Sequence, residues 1–177
     1  MSRKSAVRSA LLAVTWIPVM LTATEFVHIS QIKGSSMRPT LNPNDGSTDW
    51  VLLNLWNPME RLRNDIVLLR SPKDPDVVYC KRVKGLSNDA LYLDQQSRNR
   101  GDKTKLKLVP NGHLWVEGDN AHSVDSREFG PVSKGLVIGK VVCVIWPPQR
   151  WGTDLNRWVG RDILANEGPN KSMSNGH

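Results

Sequence analysis

Hydrophobic and polar positions divide the chain near residue 30. Ahead of that point one apolar run dominates, Ala10-Leu11-Leu12-Ala13-Val14-Thr15-Trp16-Ile17-Pro18-Val19-Met20-Leu21, inside an uncharged stretch from Ser9 to Thr24. Behind it the apolar positions fall into short runs of strand length, bounded by turn residues. Asp49 to Leu55 and Asp65 to Arg70 are the first two, and Val77 to Lys84, Ala90 to Leu93, Lys105 to Val109 and His113 to Glu117 follow. Leu136 to Trp146, rich in valine and isoleucine, is the longest. Ser71-Pro72-Lys73-Asp74-Pro75 and Leu41-Asn42-Pro43-Asn44-Asp45-Gly46 punctuate the runs as turns. With no long amphipathic helix and no internal repeat, the expected fold is mainly β. The polar composition from about Gly168 to His177 predicts a disordered tail.

Charge changes the picture at the N-terminus. Arg3, Lys4 and Arg8 precede the apolar run, and no acid occurs before Glu25. A cleaved secretory signal, a mitochondrial targeting segment and a retained anchor all share this layout. The uncharged stretch is a little shorter than the roughly 20 residues of a spanning helix, and Phe26-Val27-His28-Ile29 can lengthen it. A buried core helix is disfavoured because Pro18 would break it. The retained anchor is the reading favoured here. It divides the 177 residues into a basic segment and membrane anchor (1–30), one β domain (31–165) and a polar tail (166–177).

The net charge of +7 invites nucleic acid or anionic lipid as a partner. The basic residues are scattered, however, with no dense basic stripe and no zinc-finger spacing. Membrane lipid, and no nucleic acid, is the expected partner. Cys80 and Cys143 form no CxxC pair, and two buried free thiols are expected ahead of one bridge.

Candidate chemistry lies in three separated segments. Ser36 sits in Gly34-Ser35-Ser36-Met37-Arg38-Pro39-Thr40-Leu41, a dozen residues past Thr24 and so close to a bilayer surface if the anchor is retained. A serine hydroxyl is a weak nucleophile until a base takes its proton. Lys81 offers that base. Strand alternation puts Val77, Tyr79, Lys81 and Val83 on one face, and Val78, Cys80, Arg82 and Lys84 on the other. Lys81 is then the single charge among apolar neighbours, and burial favours its neutral form. Bringing a lysine from about 10.4 to about 7 takes roughly 4–5 kcal/mol of differential interaction. The third segment is Gly118-Asp119-Asn120 through Ser123-Val124-Asp125-Ser126-Arg127. There Ser123 can exchange a hydrogen bond with Lys81, and Asp125 can pair with Arg127 to brace the loop. Each segment alone reads equally well as an ordinary turn, an edge lysine or a surface loop. Their combination points to a serine hydrolase with a lysine base.

The ordered set resembles the type I signal peptidase family of Ser-Lys membrane peptidases. The matching residues are Ser36-Met37-x-Pro39-Thr40-Leu41, Arg63-x-Asp65-Ile66-Val67, Lys81-Arg82-Val83-x-Gly85, and Gly118-Asp119-Asn120 with Ser123-x-Asp125-Ser126-Arg127-x-x-Gly130. The resemblance covers roughly Gln31 to Trp146. It implies a signal-peptidase-like β domain behind one N-terminal transmembrane helix, with Ser36 as nucleophile and Lys81 as general base. It also implies that Ser123 positions the lysine, that Asp125, Arg127, Gly34 and Met37 support the site, and that no cofactor or metal is needed. The run from Gly112 to Asn120 and Trp146-Pro147-Pro148-Gln149-Arg150-Trp151 look like the fungal-type second subunits of mitochondrial inner membrane peptidases. That branch implies a single-pass protein of the mitochondrial inner membrane whose catalytic domain faces the intermembrane space. Its partners would be precursors with hydrophobic sorting signals and a related peptidase subunit in a heterodimer. A lysine at position 81 speaks against the endoplasmic reticulum branch, which uses histidine there. Gly34 departs from many bacterial relatives, which carry an oxyanion-hole hydroxyl two residues before the nucleophile. The Ser36 N–H, alone or with another donor, would then hold the oxyanion.

Several rivals remain on the sequence. His113 or His122 with Asp119 or Asp125 could serve Ser123 as a triad, but that leaves Ser36 and Lys81 without a role. A Cys80 thiol enzyme is weaker, because Cys80 points away from the Lys81 face. A self-cleaving repressor needs a DNA-binding domain ahead of the peptidase part, and only an apolar segment stands there. A non-catalytic anchored partner of a sister peptidase, and a bacterial-type signal peptidase, are the remaining alternatives.

Overall fold

The computed structural model describes residues 15–16, 25–58, 63–93 and 106–157. Within them the apolar runs become strands β1 (Val27–Gln31), β2 (Trp50–Asn54), β3 (Ile66–Arg70), β4 (Val78–Gly85), β5 (Ala90–Tyr92), β6 (Leu106–Leu108), β7 (His113–Glu117), β8 (Val132–Ser133) and β9 (Val137–Trp146), and a short helix, α1 (Ser126–Phe129), lies between β7 and β8. Seven strands make one sheet in the order β1-β2-β9-β3-β4-β7-β8, and β5 pairs with β6 separately. Every pairing is antiparallel. Register shifts where β9 meets β2 and β3, and where β4 meets β7, bend the sheet. The mainly β reading holds.

The central strands are buried on both faces, which is why β3 reads Ile-Val-Leu-Leu without polar alternation. Ile66 and Leu68 join Ile32, Met37, Leu41, Val51, Leu53, Val141, Val144 and Leu155 on one side. Val67 and Leu69 join Val83, Leu114, Val116 and Val132 on the other. Strand alternation alone does not tell how buried the second face of β4 is. The β4 face that carries Arg82 and Lys84 is as buried as the face that carries Lys81, with Arg82 at 0% exposure.

Two strands differ from expectation. Val27–Gln31 is an edge strand paired to β2 and does not lengthen the apolar N-terminal run. Its valine and isoleucine are exposed. β8 is only two residues long and leaves no periodic signal. Cys80 and Cys143 are free thiols, half-buried rather than fully buried. The proposed anchor, apart from Thr15 and Trp16, lies outside the described residues up to Thr24, and so does the tail. Among the described residues no helix is long and apolar enough to cross a membrane.

Candidate active site

β7 pairs with β4 only from Arg82 onward, so the β4 edge ahead of that residue stays free of β7. The loop that follows β1 reaches this edge. Half-buried Ser36 donates its hydroxyl to the Cys80 carbonyl at 3.3 Å. The backbone of the loop is held from the other side. Asn120 donates its N–H to the Ser36 carbonyl at 3.0 Å and its side-chain amide to the Ser35 carbonyl at 3.1 Å. Met37 anchors the loop by burying its side chain in the core, at 2% exposure. Gly34 has φ +88°, a left-handed conformation that favours glycine.

Lys81 lies opposite Val67 across the β3–β4 pair and is 2% exposed. Its Nζ donates to Ser123 Oγ at 2.6 Å and lies 5.4 Å from the centroid of the Tyr79 ring. That ring in turn stacks on Phe129 of α1. Burial drives the Lys81 pKa below the ordinary lysine range, against the opposing pull of the Asp125 carboxylate. Asp125 does not touch the lysine. It is the N-cap of α1 and accepts from the Gly118 N–H at 2.9 Å and from the Arg127 guanidinium at 2.7 and 2.8 Å. Burial works to raise the Asp125 pKa, but those hydrogen bonds hold it below the usual carboxylate value. The second Arg127 nitrogen also donates to the Ser123 carbonyl at 3.1 Å, so the ion pair fixes the backbone of the residue that meets Lys81.

Gly118 sits where these segments converge. A Cβ there would stand 2.2 Å from Ser123 Oγ and 2.4 Å from the Ser36 carbonyl oxygen. Only a bare backbone lets the two serines come together at this point.

The structure therefore gathers Ser36, Lys81, Ser123, Asp125 and Arg127 around one sheet edge, while Gly34 and Met37 shape and anchor the loop that carries Ser36. Ser36 and Lys81 approach from neighbouring positions of that edge, and the Ser36 hydroxyl is bonded to the carbonyl next to Lys81 rather than to its amine. The histidine alternative does not assemble. Ser123 Oγ is engaged by Lys81, His122 is exposed, and a His113 ring nitrogen lies 3.0 Å from the Asn111 carbonyl. Cys80 faces a cavity of about 390 Å³ lined by Ile32, Leu53, Leu68, Val78 and Ile138 together with the polar His28, Ser30, Gln31 and Lys33, and burial pushes its thiol up to about 12. A thiolate nucleophile is not available there near neutral pH.

One part of the arrangement goes beyond what the sequence pattern foretells. Arg82 and Asp119 form a fully buried, two-pronged ion pair at 2.6 and 2.8 Å. Arg82 also donates to the carbonyls of Asn64 and Leu155, both at 2.7 Å, and Thr40 Oγ donates to Asp119 at 2.6 Å. The pair ties the strand of Lys81 to the loop of Gly118 and to the segment after Ser36. The signal was present in the adjacency of Arg82 to Lys81 and of Asp119 to Gly118. A buried arginine needs a carboxylate, and of the motif aspartates Asp65, Asp119 and Asp125 it is Asp119 that meets Arg82.

Comparison with known proteins adds an independent line. The model of the family described as signal peptidase, peptidase S26, matches residues 3–97 and 87–146. A mitochondrial inner membrane protease subunit 2 from Saccharomyces cerevisiae is 49% identical over 171 residues, covering 93% of this chain and 94% of its own length. The Danio rerio protein of the same description is 43% identical, with 76% and 73% covered. A mitochondrial inner membrane protease subunit 1 from Schizosaccharomyces pombe is 37% identical, with 72% and 78% covered.

Proposed function

The chain belongs to the signal peptidase S26 family, and on that premise we propose a membrane-bound serine endopeptidase with Ser36 as nucleophile and Lys81 as general base. It acts at the mitochondrial inner membrane, as the names of its relatives suggest, and removes sorting peptides from proteins delivered to the intermembrane space. The observation that carries the reading is the buried Lys81 amine, hydrogen-bonded to Ser123 at 2.6 Å and in contact with no carboxylate among the described residues. That environment favours a neutral amine, the form that can accept a proton.

The buried Lys81 amine supports a mechanism with a single base. The Ser36 hydroxyl leaves the Cys80 carbonyl and turns to Lys81, a tightening that catalytic hydrogen bonds commonly complete only with substrate bound. Neutral Lys81 takes the proton as Oγ attacks the scissile carbonyl, and the Ser36 N–H faces the developing oxyanion. Ammonium Lys81 then protonates the leaving amine, and the acyl group stays on Ser36. Water, deprotonated by Lys81, releases it as the acid. Ser123 holds the lysine throughout, and Asp125 with Arg127 holds Ser123. The cavity beside Cys80, apolar where Ile32, Leu53, Leu68, Val78 and Ile138 line it, suits a small substrate side chain next to the scissile bond.

The membrane enters through two features. Residues 1–30 supply the anchor, although the sheet already begins at Val27. Val27 and Ile29, at the end of that segment, stand exposed with Trp50 and Trp146 on one face of three adjoining strands. Such an aromatic and aliphatic face suits the lipid interface. The peptidase domain, 31–165, then works at the bilayer surface with the tail 166–177 beyond it, and a related subunit completes a heterodimer.

The decisive experiment measures cleavage of a sorting-signal precursor by membrane-inserted wild type, Ser36→Ala and Lys81→Ala, with protein levels matched. Both variants should accumulate normally and leave the precursor uncut. Wild-type cleavage by either would overturn the assignment.

A further inference from the structure

Residues 147–157 follow the last strand and lie past the end of the family match at residue 146. They fold back onto the Ser36 loop. Arg150 donates to the Thr40 carbonyl at 2.6 Å and pairs with the fully buried Asp49 carboxylate at 3.1 Å. Asp49 exchanges hydrogen bonds with Asn42, accepting from its N–H at 2.9 Å and donating to its side-chain oxygen at 2.7 Å. The Asn42 amide in turn donates to the carbonyls of Ile32 and Gly34, at 2.9 and 3.0 Å. One guanidinium thus governs both ends of the loop that carries Ser36, directly at Thr40 and by relay at Gly34. Five residues further on, the Leu155 carbonyl accepts from Arg82, the neighbour of Lys81, and the Leu155 side chain packs in the same core cluster as Met37 and Leu41.

We propose that this segment is a strap that sets the Ser36 loop against the Lys81 strand, with Arg150 as its positioning residue. The inference rests on the reading of Ser36 as nucleophile. Arg150 touches neither the reacting groups nor the cavity beside Cys80, so its effect passes through the loop backbone. Displacing a reacting atom by about 1 Å can cost about 10²-fold in rate, and such a loss falls on kcat when binding contacts are untouched.

The test uses the full chain reconstituted in membrane and a sorting-signal precursor, with kcat and KM measured alongside the folded fraction. Arg150→Met keeps the apolar stem but removes the donors and the charge. It should lower kcat at least tenfold per folded molecule while KM stays within twofold. Arg150→Lys, which restores the charge beside Asp49, should recover part of that loss. Gln149→Ala, on an exposed neighbour in the same turn, should match wild type. Wild-type kcat per folded molecule in Arg150→Met would overturn the strap, and so would a raised KM at unchanged kcat. Should Arg150→Met not fold, Arg150→Lys decides: a lowered kcat at constant KM supports the strap, and wild-type constants overturn it. Ser36→Ala runs beside them. Full activity there would overturn the nucleophile itself, whereas an inactive Ser36→Ala with an unaffected Arg150→Met would overturn the strap alone.

Discussion

Replacing Gly118 by alanine inserts one methyl group where the three site segments meet. The new Cβ would stand 2.2 Å from Ser123 Oγ, 2.4 Å from Ser123 Cβ and 2.4 Å from the Ser36 carbonyl oxygen, where ordinary contact begins at 3.4 Å. Something must move by about 1 Å, a displacement that can cost about 10²-fold in rate. Neither neighbour yields freely. Ser123 Oγ accepts from Lys81, its N–H donates to the Asn120 carbonyl at 3.1 Å, and the Ser36 carbonyl accepts from Asn120. The backbone at Gly118 lies outside the left-handed region, so alanine brings no dihedral strain. Reduced entropy of the unfolded chain even favours it by about 0.4–1 kcal/mol. Overpacking opposes this by about 1–3 kcal/mol, which leaves a net loss of stability of at most about 2–3 kcal/mol. Gly118→Ala should therefore remain folded yet lose about a hundredfold in kcat. Precursor cleavage under single-turnover conditions, paired with a thermal melt, measures both. A folded variant with kcat within a factor of a few of wild type would refute the steric argument.

Because burial lowers the Lys81 pKa and the proposed mechanism uses the neutral amine as base, kcat/KM should rise with pH at a midpoint below the ordinary lysine range. Activity is lost as pH falls through that lowered value, and a pH profile with its rising limb at the ordinary lysine pKa would count against burial as the cause. Arg127→Ala removes a positive charge that lowers the Lys81 pKa and releases Asp125, which raises it, so the same limb should shift to higher pH. Asp125 acts on stability in the opposite sense: with its folded pKa depressed, its contribution is present above the ordinary carboxylate value and is lost as pH falls through the depressed one, which acid unfolding would record. Arg82→Met strands the buried Asp119 carboxylate and should cost about 3–5 kcal/mol in denaturant unfolding, while adding Asp119→Leu should restore part of it. A single-variant loss below about 1 kcal/mol would show that the pair is not buried as described. With the full chain in brominated-lipid vesicles, replacing Trp50 and Trp146 by phenylalanine should relieve much of the tryptophan quenching; unchanged quenching would mean that this face looks away from the bilayer.

Much of the sheet was readable because its strands are short and bounded by turns. His113–Glu117 falls as expected, and Ile66–Arg70, Val78–Gly85 and Val137–Trp146 each lie within a residue or so of the apolar runs. β1 escaped because its valine and isoleucine continue an apolar stretch, and only pairing with β2 reveals a strand. Arg82 illustrates a different limit. Alternation puts it opposite Lys81 correctly, but whether that second face is solvent or core depends on what the distant segments Met37–Leu41 and Leu155 lay over it. The Asp125–Arg127 pair could be read from two nearby positions in one loop. The Arg82–Asp119 pair spans two motifs, and its partners at Thr40 and Leu155 come from two more segments.

Two adjacent residues of β4 show how partners decide the state of a buried cation. Arg82 meets the Asp119 carboxylate on two prongs and stays charged within the sheet. Lys81, one residue away and on the opposite face, meets a hydroxyl and an aromatic ring. A carboxylate does lie near Lys81, but Arg127 and the Gly118 N–H occupy its oxygens and turn it away. Had Asp125 faced the lysine instead, an ion pair would have raised the pKa of the amine and removed its capacity to accept a proton. Arg127 therefore matters to the Lys81 amine without touching it, since it keeps this counter-charge engaged elsewhere. The same exchange frees Ser123 to orient the amine. A loop that looks like a set of structural ion pairs thus determines whether the neighbouring lysine can act as a base.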